Sequence, residues 1–166
     1  MTTDVNKIKI VSGGQTGVDR GALDAAMAAG IVCGGWCPKD RLAEDGVIDK
    51  RYPLQETAST DYMVRTLKNV MDSDGSLLIY FGKLEGGTLN TLEYCRQHVK
   101  PHVLINGDYV GSQAAAVSVK EFIEKNDIHV LNVAGPRASK SVKAYGYALM
   151  IVSEALRMLY GKKASK

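Results

Sequence analysis

Several features common in proteins are scarce in this 166-residue chain. Its three cysteines, Cys33, Cys37 and Cys95, are an odd number with neither a disulfide-framework pattern nor the Cys-x-x-Cys spacing of a zinc site. Cys33 reads as a small buried hydrophobe, and no second ligand cluster supports Cys37 as a metal ligand. No apolar run is long enough to cross a bilayer: the one near the C-terminus stops at Tyr147 to Val152. The first residues hold no signal-peptide hydrophobic region. The expectation is a cytoplasmic, reduced protein without membrane contact.

Charge of one sign is also in short supply. The net charge is +3, with much of the excess in residues 161–166, and no basic face is interleaved with aromatics. Nucleic acid is therefore not an expected partner. Length and composition suit one α/β domain over 1–166, with 1–6 and 161–166 as flexible ends. The standard nucleotide fingerprints are missing as well. From Gly13 to Arg20 no lysine follows the last glycine, so there is no P-loop. The dinucleotide pattern Gly-x-Gly-x-x-Gly also fails. Both absences argue against an ATPase or a nicotinamide dehydrogenase.

What the chain does have is glycine where strands give way to helices. Apolar runs at 7–11, 31–34, 76–81, 102–105 and 129–133 read as strands of a mainly parallel sheet. Helical stripes lie between them: Val18, Ala22, Ala25, Ala26 and Ala29; Met63, Leu67, Val70 and Met71; Ala115, Val119, Phe122 and Ile123. A last helix over about 139–160 carries two stripes. Val142, Tyr145, Leu149, Val152, Leu156 and Leu159 form one; Ala148, Ile151, Ala155 and Met158 form the other. Such a helix either sinks deep in its own domain or meets a second subunit, so a homo-oligomer is one expectation. The long connection 36–53 reads as a structureless lid or wall.

In doubly wound sheets ligands sit beyond the carboxyl ends of the strands. Three strand-to-helix junctions there are glycine-rich: Ser12–Gly17, Gly82–Thr88 and Asn132–Lys140. Unpaired backbone N–H groups and a helix dipole at such a junction favour an anion. Any tight turn also uses glycine, but three on one edge favour a ligand site. Its expected members are Gly13, Gly14, Gln15, Thr16, Gly17, Arg20, Lys39, Arg41, Gly86, Gly87, Thr88, Gly135, Arg137 and Lys140. Lys39, Arg41 and Arg137 are expected to converge on a phosphate. Arg20, badly placed for the helix dipole, is expected to meet a ligand or partner, or to pair with Asp24. Asp19 complements the dipole. Glu93 is either a solvated helix residue or an acid/base group. His98, His102 and His129 are scattered, and Asp72 and Asp74 read as turn residues on the opposite edge.

Several of these segments together resemble a known family: Ser12–Ala26, Gly35–Lys39 with Ala43–Gly46, Gly86–Thr88 and Asn132–Arg137. The chain resembles, over about residues 8–160, the molybdenum carrier proteins of the Lonely Guy and lysine-decarboxylase-like superfamily. The resemblance implies a Rossmann-like three-layer sandwich, commonly oligomeric, that holds molybdenum cofactor (molybdopterin) or a related phosphorylated compound. Molybdoenzymes would then be acceptors of the cofactor. One departure bears on catalysis. Lonely Guy phosphoribohydrolases carry Pro-Gly-Gly-x-Gly-Thr-x-x-Glu, whereas Gly86–Glu93 lacks the proline and the third glycine, and its threonine and glutamate are shifted.

The first reading is thus a non-catalytic binding protein for a small anionic, phosphate-bearing ligand. Alternatives are a nucleoside monophosphate N-glycosidic hydrolase using Glu93 and a nucleotide-binding sensor. All three readings expect Gly14→Val or Arg137→Ala to weaken binding without unfolding the domain.

Overall fold

The structure, a computed structural model, describes residues 7–161. Residues 1–6 and 162–166, expected as flexible ends, lie outside the described residues. The chain begins with β1 (Lys9–Val11), α1 (Val18–Ala28) and β2 (Cys33–Gly34). It continues through four two-residue strands, β3 (Trp36–Cys37), β4 (Leu42–Ala43), β5 (Gly46–Val47) and β6 (Gln55–Glu56), with a 3-10 turn at Lys39–Arg41. Next come α2 (Tyr62–Met71), β7 (Gly75–Tyr80), α3 (Gly86–Gln97) and β8 (His102–Asn106). The last elements are α4 (Ser112–Lys125), β9 (Val130–Ala134) and α5 (Ala144–Tyr160).

Five parallel strands form the central sheet in the order β2-β1-β9-β7-β8. All five expected strands are present, β2 shortened to Cys33–Gly34. Strand β7 shows why such strands read as unbroken apolar runs: Leu77, Leu78 and Ile79 are fully buried, since helices cover both faces. The sheet is the middle layer of an α/β Rossmann-like sandwich. Helix α5 packs against both α1 and α4, and α2 packs against α3.

Helix α5 begins at Ala144, not near 139, because 137–141 form a turn in which Lys140 and Ser141 N–H donate to the Arg137 carbonyl. Val142, assigned to its first stripe, precedes the helix and is 96% exposed. The remaining apolar faces meet α1 and α4 within the chain, so two stripes do not by themselves require a second subunit. Close approach to α1 depends on Gly21, where a Cβ would lie 2.5 Å from the Tyr145 carbonyl oxygen.

Two further expectations differ from what is observed. On α2 only Val70 of the apolar stripe is buried, while Met63 and Met71 are exposed. Its inner face instead carries Thr66 and Asn69. Asn69 is turned inward because its amide clasps the Trp36 backbone, accepting from N at 2.8 Å and donating to O at 2.9 Å. The 36–53 segment is not structureless. β3 pairs with β6, β4 and β5 form a hairpin, and Leu23, Cys37, Ala43, Ile48 and Tyr52 make a second small core beneath them. Two-residue strands leave no periodicity to read.

Candidate functional site

Because β9 lies between β1 and β7, the ends of these three strands are neighbours, and the junctions that follow them share one edge. A cavity of about 820 Å³ opens there. Its walls come from the turn after β7, the start of α3, the turn after β9 and the first turns of α2.

The first junction serves mainly as packing. Gly17 has φ 84° and ψ −127°, and a Cβ there would fall 2.4 Å from the Pro136 carbonyl oxygen. The turn after β1 is thereby pressed onto the turn after β9. Gly14 has φ 79°, and a Cβ would meet Leu54 Cδ1 at 2.4 Å, so Gly14→Val disturbs the small core first. Gly13 lies under the Arg65 guanidinium. None of the three lines the cavity. Gln15 does, with its Oε1 accepting from Thr16 N at 3.0 Å and Glu44 N at 2.9 Å. Thr16 is turned away from the cavity, donating its hydroxyl to Glu44.

The second junction faces open space. Gly86, Gly87 and Thr88 line the cavity, and beyond the adjacent residues and the backbone of α3 itself nothing comes within 4 Å of where a Cβ on either glycine would be. No side chain at the N-cap, Glu85, satisfies the first N–H groups of α3. Those donors and the positive end of a 12-residue helix border the cavity. From the third junction Gly135, Arg137 and Lys140 also line it.

The expected cations do not all converge. Arg20 sends Nε to the Gly14 carbonyl at 3.0 Å and both arms to Asp45. Asp24, its expected partner, instead accepts from Tyr52 and Tyr145. Arg41 is consumed by its own loop, donating to the carbonyls of Ile48, Asp49, Tyr52 and Leu54. Lys39 is exposed on the 3-10 turn and off the cavity. Glu93, further along α3, is exposed and does not line the cavity.

Sequence reasoning missed α2. Asp61, Tyr62, Arg65 and Thr66 all border the cavity. Asp61 is the N-cap, accepting from Met63 N at 2.9 Å. Arg65 Nη1 lies 3.8 Å from Asp19 Oδ2, and its guanidinium stands 5.6 Å from the centre of the Tyr62 ring. Its Nε is buried without a hydrogen-bond partner among the described residues. A guanidinium donor left unsatisfied is costly. The helical spacing Tyr62, Arg65, Thr66 was the available signal, but the apolar residues of α2 pointed to a different face.

Asp19 is buried, and burial pushes its carboxyl above the usual carboxylate range against the opposing pull of Arg65 and the Gln15 N–H. The cavity also carries Lys83 and Lys140, neither paired among the described residues. Asp108, which accepts from Gly82 N at 2.5 Å and lies 3.4 Å from Lys143 Nζ, adds a carboxylate to the lining. The site is therefore charged but mixed in sign, with Arg65 beside Asp19 and Asp108 beside the turn that carries Lys83. Among the described residues no cluster of three or more His, Cys, Asp or Glu could hold a metal ion, and no helix is long and apolar enough to cross a membrane.

A family model described as "Circularly permutated YpsA SLOG family" matches residues 10–156. A solved structure from Syntrophus aciditrophicus SB, described as "Putative molybdenum carrier protein", is similar at 44% identity and a TM-score of 0.88, covering 90% of this chain and 95% of that one. No curated protein matches. With the family model matching nearly the whole described length, the chain belongs to the circularly permutated YpsA family of SLOG proteins.

Proposed function

We propose that this protein is a non-catalytic carrier of an anionic, phosphate-bearing small molecule, and that its cargo is molybdenum cofactor. The observation that carries the reading is the cavity that joins the uncapped start of α3 at Gly86 and Gly87 to the guanidinium of Arg65. The first N–H groups of α3 await an acceptor. A phosphate group at one end of a pterin fits that donor set, with Lys83 and Lys140 adding charge. The cavity's volume, about 820 Å³, suits a ligand of that size. The carboxylates of Asp61 and Asp108 face the same space and can accept from the N–H donors of a pterin ring. The pterin identity itself rests on the similar protein's description as a molybdenum carrier. Apo-molybdoenzymes are the acceptors such a carrier would serve.

The hydrolase alternative has no observation in its favour, since Glu93, its acid/base group, lies off the cavity. The test is native mass spectrometry, with metal analysis, on protein purified from a host that makes molybdenum cofactor. A bound mass matching a metal-bearing pterin, absent from Arg65→Met, supports the carrier reading. A bound adenine nucleotide, or no retained pterin, overturns it.

A further inference from the structure

The turn between β4 and β5 places Glu44 against the first and third junctions. One carboxylate oxygen accepts from the Thr16 hydroxyl and from Ser139 N at 3.1 Å. The other accepts from Ser139 Oγ at 2.5 Å and lies 3.3 Å from Arg137 Nε. Both hydroxyls are aimed. Ala138 N–H donates to Thr16 Oγ1 at 3.1 Å, and Arg137 Nε–H donates to Ser139 Oγ at 3.1 Å. With an N–H behind each oxygen, the hydroxyl protons are left to point at Glu44. The pocket around the carboxylate thus presents donors alone: two hydroxyls, a backbone N–H and a guanidinium.

That donor set would serve a free oxyanion as well as a side chain. We propose that it is a second oxyanion subsite, occupied here by the protein's own carboxylate, and that a tetrahedral oxyanion displaces Glu44 from Thr16, Ser139 and Arg137. Three features favour exchange. A phosphate dianion brings more charge and more acceptor oxygens to Arg137 than one carboxylate does. Lys140, which lines the adjoining cavity and is unpaired among the described residues, is available to the newcomer. The Glu44 side chain, 23% exposed, sits on a hairpin turn and can leave for water without disturbing a core. Desolvation works against its charge, but the Ser139 and Thr16 hydrogen bonds outweigh it and hold the carboxyl below its ordinary range, so the resident group is anionic.

The occupant is either free oxyanion or the phosphate of a larger cargo. The subsite does not depend on the cargo being a pterin, so it can fail while the carrier reading stands, and the reverse. The experiment titrates inorganic phosphate, and separately glycerol 3-phosphate, into the parent chain and Glu44→Gln at matched ionic strength. Deuterium uptake is followed in the parent. Glu44→Gln keeps the side chain's size and removes the competing charge. It should bind at least one probe about fivefold tighter or more, the low end of ordinary site–site coupling. In the parent, the same probe should raise exchange across 42–47. A response to phosphate assigns the subsite to a free oxyanion, and a response to the ester alone assigns it to the cargo. Unchanged or weaker binding by Glu44→Gln, or no change in exchange in the parent with either probe, overturns the proposal. The parent measurement decides alone if the variant does not fold.

Discussion

Arg20 holds Asp45 with both arms of its guanidinium, Nη1 to Oδ2 at 2.5 Å and Nη2 to Oδ1 at 2.8 Å. The pair fastens the β4–β5 turn to the start of α1, and Nε of the same residue braces Gly14. A lysine cannot reproduce that fork. Arg20→Ala should lower unfolding free energy by about 1–2 kcal/mol, reduced from a buried value because Asp45 is half exposed. Arg20→Lys should lose most of the same amount. Urea melts of both variants check this, and a lysine variant as stable as the parent would show that the fork is dispensable.

Two junction glycines, one packed and one bordering the cavity, should behave in opposite ways. Gly17→Ala places a Cβ against the Pro136 carbonyl in a backbone region that alanine avoids, and should cost ~3 kcal/mol or more. Gly87 is helical and open, so Gly87→Ala should leave stability within ~1 kcal/mol of the parent. Its methyl group should nonetheless weaken cargo binding at the α3 start. Melting curves and cargo retention, measured together, separate the two roles.

Tyr145 donates its hydroxyl to Asp24 at 2.5 Å, and that bond to a carboxylate, with burial adding to it, pushes its phenol up to about 12. A raised acid keeps its proton in the folded state, so the stabilisation is complete below pH 10, the unfolded value. It is lost as pH rises through about 12. Absorbance titration of tyrosinate should show a late component near pH 12 that Tyr145→Phe removes. If the variant retains that component, Tyr145 is not its source.

Glu93→Gln should change neither stability nor cargo retention, because the side chain is exposed and away from the cavity. Incubation with nucleoside monophosphates should release no free base from parent or variant. Base release by the parent that the variant loses would restore the hydrolase reading.

The elements that the sequence reveals are those with long local patterns. The buried runs of β7 and β9 and the Ala115, Val119, Phe122, Ile123 face of α4 are legible because a whole element repeats one environment. The glycine junctions could be read as sharing one edge, since that follows from parallel strands alone. Which glycines border open space could not. Gly14 and Gly17 are pressed against Leu54 and Pro136, while Gly86 and Gly87 are open, and those differences arise from contacts distant in sequence. Cations were misread for a related reason. Arg41 and Arg20 satisfy themselves within the 36–53 wall, whose folding has no periodic signature. Arg65 was overlooked because the polar residues of α2 turn inward to serve Trp36 and the cavity.

Strand β9, near the C-terminal end, sits in the middle of the sheet with β1 on one side and β7 on the other. During synthesis, therefore, β1 and β7 both present bare inner edges until residues 130–134 are made. Before that moment the chain can assemble two separate pairs, β1 with β2 and β7 with β8, but no continuous sheet. The last strand acts as a keystone: its arrival closes both unpaired edges and brings the three glycine junctions together in one step. Completing the sheet and bringing the junctions of the binding site together are thus a single late event, followed only by the packing of α5, with long-range pairing that slows it and open edges that leave the nascent chain prone to wrong partners.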